Sequence, residues 1–119
     1  MAYISGYVAA VPNANKEKYL DLAKKVAAYF KKHGASRVVE GWGDSVPEGV
    51  LTSFTIATQR KDDETCIFSW TEWPSKEACD AGMSKAVEEF ERERDMGPGD
   101  VPFDGKRMFW GGFQVILDA

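Results

Sequence analysis

Two glutamates in β-prone segments, Glu40 and Glu72, are the side chains of this sequence best suited to acid–base chemistry. A carboxylate becomes a general acid or base when a dry pocket or a second carboxylate shifts its pKa. If their segments pair as a hairpin, the two glutamates lie on neighbouring strands. The alternative is structural: each glutamate is exposed near a strand end or pairs with a cation, for which the sequence offers Arg37, Lys106 and Arg107.

A second set of side chains indicates a pocket for an apolar or aromatic small molecule. Such pockets are mostly apolar and carry a few well-placed polar groups. The set, interpreted as one face of a sheet that also includes Glu40, consists of Tyr3, Tyr7, Trp42, Met108, Trp110 and Gln114. The competing interpretation is a dimer interface, in which aromatic residues and methionine are also enriched.

The polar segment Asp104-Gly105-Lys106-Arg107 offers a site for an anion at the mouth of this pocket. Arg107 can bind a carboxylate through two parallel hydrogen bonds. Equally, Asp104-Gly105 is a turn signal, and the cations can pair with acidic residues of the second helix or of a partner subunit.

Known catalytic and cofactor motifs do not occur in the sequence. It carries no Ser/His/Asp, Cys/His, phosphate-loop or dinucleotide signature. One histidine, His33, cannot build a histidine metal site, and no carboxylate loop motif is present, so no metal and no cofactor are expected. Cys66 and Cys79 are expected to be buried thiols.

Charge and hydropathy limit the partners and the location. The net charge of −4 argues against nucleic-acid binding, which depends on clustered Lys and Arg. No apolar run approaches the roughly 20 residues of a membrane span. The N-terminal residues lack a positively charged signal-peptide region, so we expect a cytoplasmic protein.

The elements that must position these residues follow from periodicity. Helical spacing predicts a helix from Lys16 to Lys32 with Asn15 as N-cap and Gly34 after its end. Alternation and composition predict strands at Tyr3–Val11, Arg37–Trp42, Thr65–Trp73 and Met108–Leu117, with a second helix from Lys76 capped by Ser75 and ended by Gly97-Pro98-Gly99. Residues 51–58 are expected to form an extra short strand or a flap.

The order of elements predicts a single α+β domain over residues 1–119, a ferredoxin-like βαββαβ sandwich. Strands one and three should lie parallel in the centre, with both helices on one face. The residues expected to face the helices are Ile4, Val8, Val39, Phe109, Phe113 and Val115. Tyr3, Tyr7, Trp42 and Trp110 would then form an exposed patch that a second copy covers, giving a homodimer.

Several segments resemble the YbaA-like bacterial family, a group of unknown function. They are RVVEGW at 37–42, FSW at 68–70 followed by PSK at 74–76, and FDGKRMFWGG at 103–112. The resemblance implies a dimeric α/β-barrel, in which two ferredoxin-like sheets face each other. Proteins of that architecture include cofactor-free oxygenases, isomerases and haem enzymes, so fold alone does not assign a reaction.

The functional hypothesis is a small-molecule-binding protein with oxygenase-like or isomerase-like chemistry that uses Glu40 or Glu72 as base. The alternative is a non-catalytic homodimer in which the sheet face serves only as interface. His33 lies at a helix end away from the sheet, which argues against a role as a haem ligand.

Overall fold

The structure is a computed structural model that describes residues 2–94 and 101–119 of the 119-residue chain. Its strands are β1 (Tyr3–Pro12), β2 (Arg37–Trp42), β3 (Glu64–Trp73) and β4 (Phe109–Gln114). Its helices are α1 (Lys16–Lys32), the single turn α2 (Phe54–Ala57) and α3 (Lys76–Glu93), with 3-10 turns at Asn13–Asn15 and Gly105–Arg107. The predicted termination of the second helix by Gly97-Pro98-Gly99 lies outside the described residues.

The four strands form one sheet in the order β2-β3-β1-β4. This confirms the predicted ferredoxin-like α+β fold, with β1 and β3 in the centre. The prediction that β1 and β3 run parallel is wrong, because they pair antiparallel from Tyr3↔Trp73 to Pro12↔Glu64. Each βαβ crossover returns the chain in its original direction one strand away, so the strand inserted between runs the opposite way.

The ends of the two long helices follow local chemistry, with one exception. Ser75 caps α3 by accepting a hydrogen bond from the Ala78 N–H at 3.0 Å, and Gly34 follows α1 with a φ of +114° that disfavours other residues. Asn15 occupies the N-cap position of α1, but its side-chain amide donates to the Pro102 carbonyl at 3.0 Å instead of capping the helix. No helix among the described residues is long and apolar enough to cross a membrane.

The core lies between the helices and one face of the sheet. Trp73 is fully buried and packs edge-to-face on Phe30 of α1, with ring centroids 6.4 Å apart. Gly82 brings α3 close to this pair, since a Cβ there would collide with the Trp73 ring and come within 2.5 Å of the His33 carbonyl oxygen. Toward the other end of β1, a second cluster joins Ala9, Val11, Tyr19 and Ile67.

The alternating side chains were assigned to the wrong faces of the sheet. Tyr3, Tyr7 and Trp42 pack against the helix-side core clusters instead of forming a bare patch. The reason is that Ala9 and Val11, which alternate with them in phase, are the β1 residues buried beneath α1. The uncovered face therefore carries the residues expected under the helices, including Ile4, Val8, Phe109 and Phe113.

Two other predicted elements differ from the structure. Of the two alternatives for residues 51–58, the short strand is wrong, because the segment contains the helical turn α2. Ser53 caps this turn by accepting from the Ile56 N–H at 3.0 Å. The last strand is six residues long, ending at Gln114. Gln114 pairs with Tyr3, the first residue of β1, and after it the Val115 N–H donates one backbone hydrogen bond to the Ala2 carbonyl at 3.2 Å.

Candidate ligand-binding site

A cavity of about 660 Å³ lies between α1, α3 and the helix-side face of the sheet. Its size is within the usual range for small-molecule sites. Most of its walls are apolar side chains of the two helices. The lining residues are Ser5, Tyr7, Tyr19, Leu22, Ala23, Val26, Ala27, Phe30, Val38, Glu40, Met83, Ser84, Val87, Glu88, Phe103, Met108 and Trp110.

Strand register builds the polar floor of this cavity. Tyr7 of β1 pairs with Ser69 of β3 on one side and Trp110 of β4 on the other, and Ser69 pairs in turn with Glu40 of β2. Directly paired residues in a sheet point to the same face. The register therefore places four side chains from four strands in one row, Trp110–Tyr7–Ser69–Glu40.

The Glu40 carboxylate is the centre of a hydrogen-bond network of hydroxyl groups. Its Oε1 accepts from the Tyr19 hydroxyl at 2.5 Å and from the Ser69 hydroxyl at 2.6 Å. Its Oε2 accepts from the Tyr7 hydroxyl. Two of the donors come from the sheet and the third from α1, so the network fixes the helix against the sheet at the cavity floor.

The two tyrosines of this network remain protonated over a wide pH range. Burial, followed by the negative charge of Glu40, raises the pKa of Tyr7 and that of Tyr19 well above the ordinary value for a phenol. Both hydroxyls therefore act as hydrogen-bond donors to Glu40 at neutral pH.

Charged groups in the cavity are few and acidic. Among the described residues, Glu40 and Glu88 are the lining residues with a charge. Glu88 belongs to the rim, because its side chain is 76% exposed and lies 3.9 Å from Arg92. Within the same described ranges, no group of three or more His, Cys, Asp or Glu side chains is placed to hold a metal ion.

Residues 101–108, which we call the strap, form one wall of the cavity. Phe103 packs edge-to-face on the Tyr19 ring at 5.8 Å between centroids, and Met108 also lines the cavity. The strap is fixed to α1 by the hydrogen bond from Asn15 to the Pro102 carbonyl. At its other end it is fixed by Arg107.

Arg107 anchors the strap through a buried ion pair. It donates to the two carboxylate oxygens of Glu64 at 2.6 and 2.7 Å, to the Gln59 carbonyl at 2.9 Å and to Asp104 at 3.1 Å. Hydrogen bonding to this guanidinium lowers the pKa of Glu64. Arg107 does not line the cavity. Because its guanidinium binds groups of the same chain, we assign it a structural role.

Glu72 lies apart from Glu40. It pairs with Arg37 across the β2–β3 register, whereas Glu40 pairs with Ser69, so the two glutamates are not cross-strand partners and face opposite sides of the sheet. Glu72 accepts a hydrogen bond from the Trp70 indole at 2.9 Å and lies 3.6 Å from the Arg37 guanidinium. The ion-pair alternative of the sequence analysis describes it correctly.

The structure thus brings together four of the residues that sequence analysis selected, Tyr7, Glu40, Met108 and Trp110. Three others, Tyr3, Trp42 and Gln114, do not line the cavity. Sequence analysis missed Tyr19, Ser69 and Phe103. One signal was available, because a tyrosine on the apolar stripe of a helix needs a buried partner for its hydroxyl.

On the uncovered face of the sheet lies a second, apolar hollow of about 520 Å³. The neighbouring residues Gly6 and Gly111 form its floor, since they pair across β1 and β4 and carry no side chain. Exposed rings surround it: Phe68 is 50% exposed, Phe113 61% and Trp110 72%. Tyr7 and Trp110 contribute to both the cavity and the hollow.

Comparison with known proteins gives a family but no activity. The family model described as "Protein of unknown function (DUF1428)" matches residues 2–105. The chain is 44% identical over 118 residues to the uncharacterised protein YbaA of Escherichia coli K12, with 99% of each chain covered. The YbaA of Shigella flexneri matches equally well. The resemblance to a YbaA-like family is confirmed.

Two solved structures share the fold at low sequence identity. A dimeric ferredoxin-like protein from an uncultured marine organism has a TM-score of 0.57 at 10% identity, with 100% of both chains covered. A point mutant of MhuD, with two manganese protoporphyrin IX molecules bound per active site, has a TM-score of 0.59 at 17% identity, with 100% of this chain and 98% of that chain covered. At such identities the comparisons establish the ferredoxin-like fold alone.

Proposed function

Because the chain belongs to the DUF1428 family, which has no assigned activity, we propose its function from the cavity. The protein binds a small organic molecule that has an apolar or aromatic body and a hydrogen-bond donor directed at Glu40. The observation that carries this proposal is a half-buried carboxylate, held by three hydroxyl groups, at the floor of an apolar cavity of about 660 Å³. Apolar walls with one precisely placed polar group are typical of ligand sites.

Glu40 is also the group that would accept a proton from a bound substrate. Its Oε1 already accepts two hydrogen bonds, whereas Oε2 accepts one, so a lone pair of Oε2 remains for a ligand O–H or N–H. The catalytic form of the proposal is therefore a cofactor-independent oxygenase or isomerase step in which Glu40 acts as general base. Glu72 has no part in it, since it faces the other side of the sheet.

The porphyrin of the MhuD neighbour is not part of the proposal. The chain has one histidine, His33, whose Nε2 lies 2.7 Å from Glu89 and which does not line the cavity. A haem bound through a proximal histidine would find no such ligand here.

The test of ligand binding is a thermal-shift screen of small aromatic and aliphatic molecules with a variant that fills the cavity. Ala27 lines the cavity from α1, and the adjacent Ala28 is exposed, so Ala27→Trp and Ala28→Trp form a matched pair. Molecules that stabilise the parent and Ala28→Trp should fail to stabilise Ala27→Trp. Equal shifts in all three proteins would place binding elsewhere and contradict the proposal.

A second proposal concerns the uncovered sheet face: a second copy of the chain covers it, giving a homodimer. The support is its exposed aromatic rings, since such patches on single domains usually mark interfaces. The ferredoxin-like neighbour from the marine organism is described as dimeric. This face lies opposite the cavity, so dimerisation and ligand binding do not compete for the same side chains, apart from Tyr7 and Trp110.

Sedimentation equilibrium tests the dimer. We expect a species of twice the 13.2 kDa chain mass at micromolar concentration. Phe113→Asp, in the hollow, should yield the monomer, and Leu20→Asp, on the exposed surface of α1, should leave the dimer intact. A parent protein that sediments as a single chain would refute the proposal.

A further inference from the structure

We propose that the ligand of the cavity is a cation, a small organic amine that is protonated at neutral pH and carries an aromatic or aliphatic body. This inference rests on the proposed function and narrows its class of ligand. It follows from the charge balance of the cavity, where the carboxylate of Glu40 meets hydroxyl groups and, among the described residues, no basic side chain.

Glu40 differs in this respect from the other glutamates of the sheet. Glu64 pairs with Arg107 at 2.6 Å, and Glu72 lies 3.6 Å from Arg37. In the described part of the chain, no Lys, Arg or His nitrogen lies within 4.0 Å of the Glu40 carboxylate. Hydroxyl donors stabilise a carboxylate without neutralising it, so the site retains a net negative charge.

A negative charge in an apolar cavity is unfavourable unless a cation compensates it. A ligand ammonium group beside Oε2 would supply that cation and would use the remaining lone pair. The rings of Tyr7, Phe103 and Trp110 line the same space, and aromatic faces attract cations.

The same charge balance makes the cavity unsuited to an anion. Its described lining residues include no Lys, Arg or His. Residues 95–100, which precede the strap in the sequence, read Asp-Met-Gly-Pro-Gly-Asp and include no basic residue. A carboxylate or phosphate ligand would therefore meet Glu40 with no compensating charge. The site selects by charge as well as by shape.

Three probes with one ring system isolate the effect of charge: 1-naphthylmethylamine, 1-naphthylmethanol and 1-naphthoate. Isothermal titration calorimetry of the purified protein at low ionic strength should give a dissociation constant for the amine at least ~10-fold below that for the alcohol, since charge-assisted hydrogen bonds are roughly twice as strong as neutral ones. The naphthoate should bind more weakly than the alcohol.

Glu40→Gln should reduce the amine-to-alcohol preference to about one, because the amide keeps the shape and removes the charge. Glu72→Gln is the matched control on the opposite face and should retain the full preference. If Glu40→Gln fails to fold, Tyr19→Phe replaces it. That variant keeps the carboxylate and removes one donor to Oε1, so the preference should hold or increase, and a lost preference would count against the inference.

The outcomes separate the two proposals. If the alcohol or the naphthoate binds the parent as tightly as the amine, or if the preference survives Glu40→Gln, the charge inference is wrong and small-molecule binding stands. If no probe gives a binding heat that Ala27→Trp removes, the charge inference falls, and the thermal-shift screen with Ala27→Trp and Ala28→Trp decides small-molecule binding separately.

Discussion

Replacing Arg107 by methionine should destabilise the protein and loosen the strap. Methionine keeps most of the length and apolar surface of the arginine side chain but removes every donor. In the parent, the Arg107 side chain is 11% exposed and that of Glu64 is 3% exposed, and two short hydrogen bonds join them. The variant therefore leaves a buried carboxylate without its cation.

The expected loss follows from this burial. Removing one partner of a buried ion pair costs about 3 to 5 kcal/mol, mainly because the remaining charge stays desolvated. We expect the lower end, about 3 kcal/mol, since Glu64 keeps its bond from the Lys61 N–H at 2.8 Å. For a chain of this size, such a loss lowers the melting temperature by roughly 12 °C.

Urea unfolding measures this free energy, and three variants define the result. Lys106→Met, the exposed neighbour, should change stability by less than about 0.5 kcal/mol. The double variant Glu64→Gln/Arg107→Met should be more stable than Arg107→Met by at least about 1 kcal/mol, because the unpaired charge is gone. A loss below about 1 kcal/mol for Arg107→Met, or a double variant no better than the single one, would refute the ion pair as the anchor of the strap.

Three further results are expected. Acid should destabilise the protein, because the pKa of Glu64 is lowered when the chain is folded. The contribution of Glu64 to the free energy of unfolding is present above the unfolded value of about 4.3 and is lost as the pH falls through the folded pKa. Urea unfolding midpoints measured across this pH range would record the loss. Alkali should also destabilise the protein, because the pKa of Tyr7 and that of Tyr19 are raised when the chain is folded. Their contribution to the free energy of unfolding is fully present below the unfolded value of about 10 and is lost as the pH rises from there toward the folded pKa. A phenolate absorbance from these two residues that rises before unfolding would contradict this. Gly82→Ala should cost about 1 to 3 kcal/mol in thermal or urea unfolding by crowding the Trp73 ring, whereas Gly105→Ala, which meets nothing within 4 Å, should be nearly neutral.

Local patterns were sufficient to predict the four strands, the two long helices and their order. Helix α1 has the predicted bounds, because its apolar residues recur at helical spacing and Gly34 has the positive φ that follows a helix end. The strand Arg37–Trp42 also agrees, since β-branched and aromatic residues lie between Gly34 and a polar loop. These features depend on neighbours in sequence, which the sequence displays directly.

The sheet faces could not be predicted in the same way, because β1 is apolar on both sides. Tyr3, Tyr7 and Ala9 alternate with Ile4 and Val8, so hydrophobicity does not distinguish the covered face from the open one. Packing against α1 and α3 determines which face of β1 is covered. The residue pattern of a single strand contains no information about that packing. Because the two faces of β1 were exchanged, the pocket was expected on the wrong side of the sheet.

The hydrogen bonds to Glu40 were also beyond local patterns. Tyr19 lies 21 positions from Glu40, and Ser69 lies 29 positions from it. Their meeting depends on the crossover of α1 and on the register of β2 with β3. Sequence analysis selected Glu40 and the donor Tyr7, whereas the donors Tyr19 and Ser69 became visible only when α1, β2 and β3 were placed together.

The same register that builds the cavity floor also determines how the two faces of the sheet relate. Tyr7 and Trp110 pair and point toward the helices, and the next pair along, Gly6 and Gly111, presents bare backbone to the other face. With no side chain on this second pair, the sheet is thinnest between the cavity and the hollow, and Tyr7 and Trp110 border both. Trp110 is 72% exposed, so a partner that covers the hollow would bury a ring that also forms the cavity wall. In a dimer, the shape of the ligand site would therefore depend on the subunit on the opposite face.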